Sequence, residues 1–377
     1  MKAIYLDYNA TTPLDPETVE AMRPCLDEVF GNPSSTHIYG LEARAVVEEA
    51  RGKVAAFLNG RPDEIVFTSG GTESNNHAIK GIAFAHRDRG NHIITSAIEH
   101  PAVTEVCHDL EGQGFRVTFL PVDDRGLVDV EALKRAITAE TILVTVMHAN
   151  NEVGTIQPIE EIASLVRGRG IFFHTDAAQS AGKVPVDVES LGVDLLSLAG
   201  HKLYAPKGIG ALYIRQGTKI GKFMHGAGHE RNLRAGTENV LEIAGLGKAC
   251  ETAKRDLDRN RARMTQTRDR LHEGLRARLD VRLNGHPEQR LPNTLSVGFR
   301  GVDAGALLEE MKDIAASAGA ACHGASVEIS KVLRAMAVPM EYARGTVRFS
   351  TGKATTIEDI DRAVEIIAST VRRLKSP

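Results

Sequence analysis

The sequence predicts an α/β protein: a large unit with a mostly parallel, helix-covered sheet, joined to a smaller α+β unit. Three observations lead there. Between Glu64 and Arg215, seven short apolar runs alternate with amphipathic stretches, the strand-and-helix rhythm that builds a parallel sheet. A stretch over 239–279, charged on one side and poor in breakers, reads as helix long enough to bridge two domains. The chain has 377 residues and 42% hydrophobic content, enough for a large core that divides in two.

The apolar runs are 65–67, 92–95, 117–120, 141–146, 171–173, 195–198 and 210–214. Sheets of this kind take ligands beyond the carboxyl ends of their strands. Thr68 to Thr72, His100, Asn151, Asp176 and Lys202 all fall at such ends, so a site would be assembled from distant segments. Past the helical bridge come two strand candidates, 293–297 and 346–350. A final helix opens at Thr355-Thr356-Ile357-Glu358, which has capping-box spacing. The expected division is 15–250 for the large unit, and 1–14 with 251–377 for the small one. Gly226 to Gly236 reads as a glycine-bearing loop without obvious core residues.

Composition narrows the function. A formal charge of −3, with lysines and arginines spread along the chain, gives no basic field for nucleic acid. No apolar run reaches bilayer length, and the N-terminal segment meets Asp7 too soon for a signal peptide. A cytoplasmic protein is expected. Cys25, Cys107, Cys250 and Cys322 lie far apart without paired metal-ligand spacing, which fits a reducing compartment and no metal site.

The chemistry begins at Lys202, which follows a buried run and sits in a Gly-His-Lys turn. Asp176 ends another apolar run, and Ser69-Gly70-Gly71-Thr72-Glu73 opens a helix with small, donor-rich residues. Amine, acid and anion cradle together are what pyridoxal 5'-phosphate needs: a Schiff-base partner, an acid to keep the pyridine nitrogen protonated, and N–H groups for the phosphate. Each has a plainer reading alone. Most lysines are solvated surface charges, Asp176 could cap a helix, and glycine-threonine turns often merely start one. Gln179, three residues past Asp176, could reach the cofactor's phenolic oxygen. His100, held between Glu99 and Pro101 at a strand-to-helix junction, could stack on a pyridine ring or be a hydrogen-bonded structural histidine.

Cys322 stands in the small-residue stretch 318–326, where a displayed thiol suits a nucleophile; a buried small hydrophobe is the usual fate of free cysteine. The other three cysteines, each in an expected helix, fit that usual fate. Arg348 on an apolar strand needs an anion, either a substrate carboxylate or a structural acid.

These residues resemble the NifS-like cysteine desulfurases and selenocysteine lyases, in the class V aminotransferase group of fold type I pyridoxal-phosphate enzymes. The likeness runs from Tyr5-Leu6-Asp7-Tyr8-Asn9-Ala10-Thr11-Thr12-Pro13 to the last helix. It is strongest at Phe67 to Ser74, Asn150-Asn151-Glu152-Val153-Gly154, Asp176-Ala177-Ala178-Gln179-Ser180, Gly200-His201-Lys202 and Gly228-His229-Glu230-Arg231. The resemblance implies Lys202 as the Schiff-base lysine, Asp176 on the pyridine nitrogen, Gln179 on the phenolate and His100 as the stacking ring. It also implies Gly71, Thr72 and His201 around the phosphate, Asn151 and Arg348 on the substrate carboxylate, and Cys322 as the persulfide-forming thiol. A homodimer is implied, with Thr237 reaching the neighbour's phosphate, as is a sulfur-acceptor or scaffold protein.

Two departures stand out. Ala199 replaces a serine that contacts phosphate in many members, and 318–323 replaces the serine-rich stretch of the housekeeping desulfurases with one closer to the selenocysteine lyases. The expected activity is L-cysteine to L-alanine with sulfur left on Cys322. Selenocysteine lyase, a transaminase on the same scaffold, and a non-enzymatic scaffold of a sulfur-transfer complex are the alternatives.

Overall fold

The computed structural model describes residues 3–323 and 326–375, with side chains outside 320–328. All seven expected runs become strands of one seven-stranded sheet, in the order Ile65–Thr68, Gly210–Ile214, Leu195–Ala199, Phe172–Asp176, Thr141–Thr145, His92–Ser96, Arg116–Leu120. Gly210–Ile214 runs antiparallel to both neighbours and the other pairings are parallel. Most of these strands are buried at every position, as continuous apolar runs in a two-sided sheet require. One face packs Val47, Val54, Leu58 and Leu246 over Phe173 and Leu198; the other packs Ile79, Ile82, Val103 and Leu110 over Ile93 and Leu143.

A second, four-stranded sheet is antiparallel and contains both later strand candidates, as Thr294–Phe299 and Thr346–Ser350, flanked by Val281–Asn284 and Ser317–Ala318. Its core joins Leu295, Val297 and Phe349 to Leu271, Leu275, Ile360 and Val364, and takes in Ile4 and Leu6 from the start of the chain.

The expected bridge is not one helix but two, Val240–Arg255 and Leu257–Arg276, parted at Asp256. They serve different cores: Ile243, Leu246, Ala249 and Cys250 pack toward the large sheet, Leu271 and Leu275 toward the small one. One straight helix could not aim both stripes. The final helix, Ile357–Lys375, is capped one residue later than expected, because the reciprocal bonds join Thr356 and Asp359: Asp359 N to Thr356 Oγ1 at 3.0 Å and Thr356 N to Asp359 Oδ2 at 3.1 Å.

The glycine-bearing loop also holds more than expected. Glu230, Arg231 and Asn232 are left-handed, with φ of 45°, 54° and 67°. That strain is of order 1 kcal/mol or more per residue, and the turn is anchored by the buried pair of Glu230 with Arg51 at 2.8 Å.

Candidate active site

At the carboxyl rim of the large sheet lies a cavity of about 410 Å³, lined by Asn9, Gly71, Thr72, Asn75, His100, Met147, Asn151, Asp176, Gln179, Ala199, His201, Lys202 and Arg348 among others. Every residue to which the resemblance assigns a role lies there except two. Thr237 is exposed and does not line the cavity of its own chain. The Cys322 side chain lies outside the described residues; its backbone belongs to the strand Ala320–His323, paired antiparallel with Ser326–Ile329, where the sequence suggested a loop.

Asp176 ends its strand at the sheet's centre, and both carboxylate oxygens are spoken for. Asn75 Nδ2 donates to Oδ2 at 2.7 Å and Ala178 N to Oδ1 at 2.9 Å. No helix starts at Asp176: the Ala178 bond closes a turn, so the helix-capping reading is not met, while the carboxylate lines the cavity. Asn75, on the helix Gly71–Ala85, was not legible in advance. Its signal is its place one helical turn after the Gly70-Gly71 start, and its Oδ1 is buried without a partner.

That helix starts with Gly70 at φ 148°, a conformation side chains avoid. A Cβ on Gly71 would lie 3.2 Å from the Ala199 Cβ. Missing side chains at the helix start leave its first N–H groups open, which is the arrangement that binds a phosphate.

His100 caps the helix Pro101–Glu111, its Nδ1 accepting from Ala102 N at 3.1 Å. An accepting Nδ1 puts the neutral ring's proton on Nε2. Burial holds the imidazole below its usual pKa, with Asp176 pulling up and Lys202 pushing down. The ring is a flat, uncharged surface at the cavity wall.

Lys202 ends a 3₁₀ turn after Leu195–Ala199, and Nζ donates to Asn9 O at 2.5 Å and Ala10 O at 2.7 Å. Burial, with Arg348 nearby, lowers its pKa to about 8. The amine is thus held close to the neutrality a nucleophile needs. Beside it, His201 is lowered to about 4 by burial and the lysine charges around it, and its Nδ1 lies 3.2 Å from Thr11 Oγ1.

Arg348 comes from the small sheet. Its Nη1 donates to Asn151 O at 3.0 Å and its Nη2 to Asp7 Oδ1 at 2.9 Å and Ser317 Oγ at 3.0 Å, while Nε is buried without a partner. The structural acid therefore exists, and donor capacity remains.

Of the other thiols, Cys107 is pushed up to about 12 by burial, Cys250 is pushed up further, and Cys25 is raised less. None of the three is poised as a thiolate. Among the described residues no cluster of histidine, cysteine and acid could hold a metal ion, and no helix is long and apolar enough to cross a membrane.

Residues 4–363 match the family model described as aminotransferase class-V. A cysteine desulfurase IscS of Dictyoglomus turgidum is 50% identical, over 100% of this chain and 96% of that protein, and one of Methanosarcina thermophila is 51% identical over 100% and 93%. The chain belongs to the class-V aminotransferase family, among its NifS-like cysteine desulfurases. A solved NifS-like protein superimposes with a TM-score of 0.93 at 39% identity, covering 99% of this chain and 100% of that one; a NifS-like protein of Rickettsia africae gives 0.88 at 31%, covering 98% and 99%. The cofactor of this family is pyridoxal 5'-phosphate, and the cavity fits it: an open helix start, a carboxylate with both oxygens oriented, and an amine held near neutrality line one space.

Proposed function

We propose that this protein takes sulfur from L-cysteine, leaving L-alanine and a persulfide on Cys322 for transfer to an acceptor protein. The observation that carries the reading is the convergence of Lys202, Asp176 and Arg348 on one cavity from three different chain segments. We assign the phosphate to Gly71, Thr72 and His201, the pyridine nitrogen to Asp176, one ring face to His100 and the phenolic oxygen to Gln179. Arg348 and Asn151 take the substrate carboxylate.

When bound, the cofactor supplies an electron sink that makes the substrate's Cα–H acidic. The protein's part is positional and protonic. Lys202 Nζ would take the Cα proton and hold it above the substrate. Asp176, fixed by Asn75 and Ala178, would face the ring nitrogen and hold its proton. The Cys322 thiolate attacks the substrate sulfur: an Sγ–S bond forms, the Cβ–S bond breaks, and its electron pair stays on carbon, which gains a proton to give alanine. Neutral His100 presents its ring and Nε2–H without adding charge beside Lys202.

The assembly we propose is a homodimer. Leu26 and Phe30 are 68% and 71% exposed, Ile38, Tyr39 and Leu41 are exposed as well, and the Phe30 and Tyr39 rings lie 5.2 Å apart; this is apolar surface that a second copy would cover. Thr237, exposed away from its own cavity, fits a role in the neighbour's. We assign the large unit to 15–250 and the small one to 1–14 with 251–377, and place the protein in the cytoplasm on its reduced, widely spaced cysteines.

The test is purified protein with L-cysteine, scoring alanine and mapping protein-bound persulfide. One alanine per sulfur, with the persulfide on Cys322, is expected. A keto acid in place of alanine, or unchanged turnover in Cys322→Ala, overturns the reading.

A further inference from the structure

Lys183 is a buried cation that none of the roles above uses. It is 5% exposed, and among the described residues it makes no ion pair. A buried ammonium without a counter-charge is expensive, and burial, with the charges of Lys202 and Arg348, lowers its pKa to about 7. What it touches is Gln179: Nζ donates to the Gln179 backbone oxygen at 2.8 Å and lies 3.4 Å from its side-chain Oε1. On the amide's other side, Gln179 Nε2 donates to Asn9 O at 3.0 Å, the same carbonyl that receives Lys202 Nζ.

These contacts fix which way the amide points. A carbonyl such as Asn9 O only accepts, and the lysine amine, charged or neutral, has N–H groups to donate. The opposite flip would set oxygen against oxygen at Asn9 and take the acceptor away from Lys183. With Oε1 facing Lys183, one N–H of Nε2 goes to Asn9 O and the second is left for a group in the cavity that Gln179 lines.

We propose that Lys183 is a positioning residue that locks the Gln179 amide with its oxygen inward, so that Nε2 always presents a donor to the cofactor's phenolic oxygen. The inference rests on the assignment of Gln179 to that oxygen. Lys183 does not reach the large cavity itself. It lines a small cavity of about 20 Å³ that Lys202 also lines, with Tyr8, Tyr204, Asp15 and Lys353 among the walls; Asp15 there is already paired with Lys353, so it offers no free counter-charge.

A donor aimed at an acidic oxygen favours its ionised form, so losing the donor raises the pH at which the bound chromophore gives up its proton. The experiment titrates the visible absorption of the holoenzyme against pH in the wild type, Gln179→Ala, Lys183→Met and the double variant. Gln179→Ala is expected to raise the midpoint by about one unit, and Lys183→Met by about half a unit or more. In the Gln179→Ala background the lysine substitution should add nothing, because its effect passes through the missing amide.

If Gln179→Ala leaves the midpoint in place, the assignment of Gln179 fails, and this inference with it. If Gln179→Ala moves the midpoint but Lys183→Met does not, or adds its full shift in the double variant, the assignment stands and the positioning role is overturned. Should Lys183→Met not fold, Lys183→Leu, which likewise lacks any donor, carries the same comparison.

Discussion

Two surfaces face each other across the cavity and hold their charges differently. On the rim of the large sheet, Asp176 and His100 are fixed by a backbone N–H two residues on, and Asp176 also by Asn75. On the small sheet, Arg348 is held by Asp7, Ser317 and Asn151 O, each from a distant segment, and its Nε has no partner. The rim is set before any ligand arrives, since the Asp176 carboxylate and the His100 ring are each pinned by a backbone N–H two residues on, and Asn75 on the neighbouring helix adds a second bond to Asp176. The arginine rests on an acid that an incoming carboxylate can replace. A cofactor that stays wants the first arrangement, and a substrate that comes and goes wants the second.

The largest expected effect tests the rim. Lys202→Ala should cut kcat by about 10³-fold or more, within the range for a lost general base, while purified variant still binds pyridoxal phosphate through the unchanged cradle. Retained turnover would mean that another group moves the proton.

Next comes the opposite surface. Arg348→Lys keeps the charge and loses the planar fork, so KM for L-cysteine should rise about ten- to a hundredfold, as expected for a lost charge-assisted bond, with kcat less affected. Asp7→Asn should act in the other direction and more weakly. It removes the competing charge, and KM should fall about two- to fivefold, the scale of one modest hydrogen bond. A rise in KM on Asp7→Asn would show that Asp7 orients the arginine rather than competing for it.

How much of this could be read in advance follows the same division. The rim was legible because a buried strand that ends in a polar residue leaves few places for that residue to point. Asp176 announces itself so, His100 and Lys202 stand in the short turns just past such ends, and all seven strands carried apolar runs. The break at Asp256 was not legible, since both helices around it have good helix formers and only the two cores they serve part them. Nor was the pair Arg51–Glu230, whose members lie far apart in sequence and meet only through a left-handed turn at non-glycine residues. Asn75 was hidden because a helix-interior asparagine looks like any other until the strand end it faces is known. Arg348 was read as needing an anion, and the structure shows Asp7 already there.

The smallest effect concerns what lies under the rim. Glu99, next to His100, is buried; its Oε1 accepts from Ser96 Oγ at 2.5 Å and Met147 N at 3.0 Å. Burial raises its pKa to about 8, with Asp176 adding to the rise and these two bonds opposing it. The folded protein therefore keeps this proton up to about pH 8, whereas an unfolded glutamate gives it up near 4.5. Because the folded state binds the extra proton, this group's contribution to stability is full below pH 4.5 and is lost as pH rises toward 8.

Glu99→Gln keeps an acceptor for Met147 N and removes the titration. Denaturant unfolding of the apoprotein should then change little near pH 5 and show the variant gaining on the wild type toward pH 8. Glu99→Ala, by contrast, leaves the Met147 N–H unpaired and should cost about 1–3 kcal/mol at either pH. If Glu99→Gln instead loses ground to the wild type as pH rises, Glu99 is an ionised carboxylate in the folded protein. The rim would then carry two like charges beside the cofactor's ring, and the fixed, singly charged surface set against Arg348 would have to be redrawn.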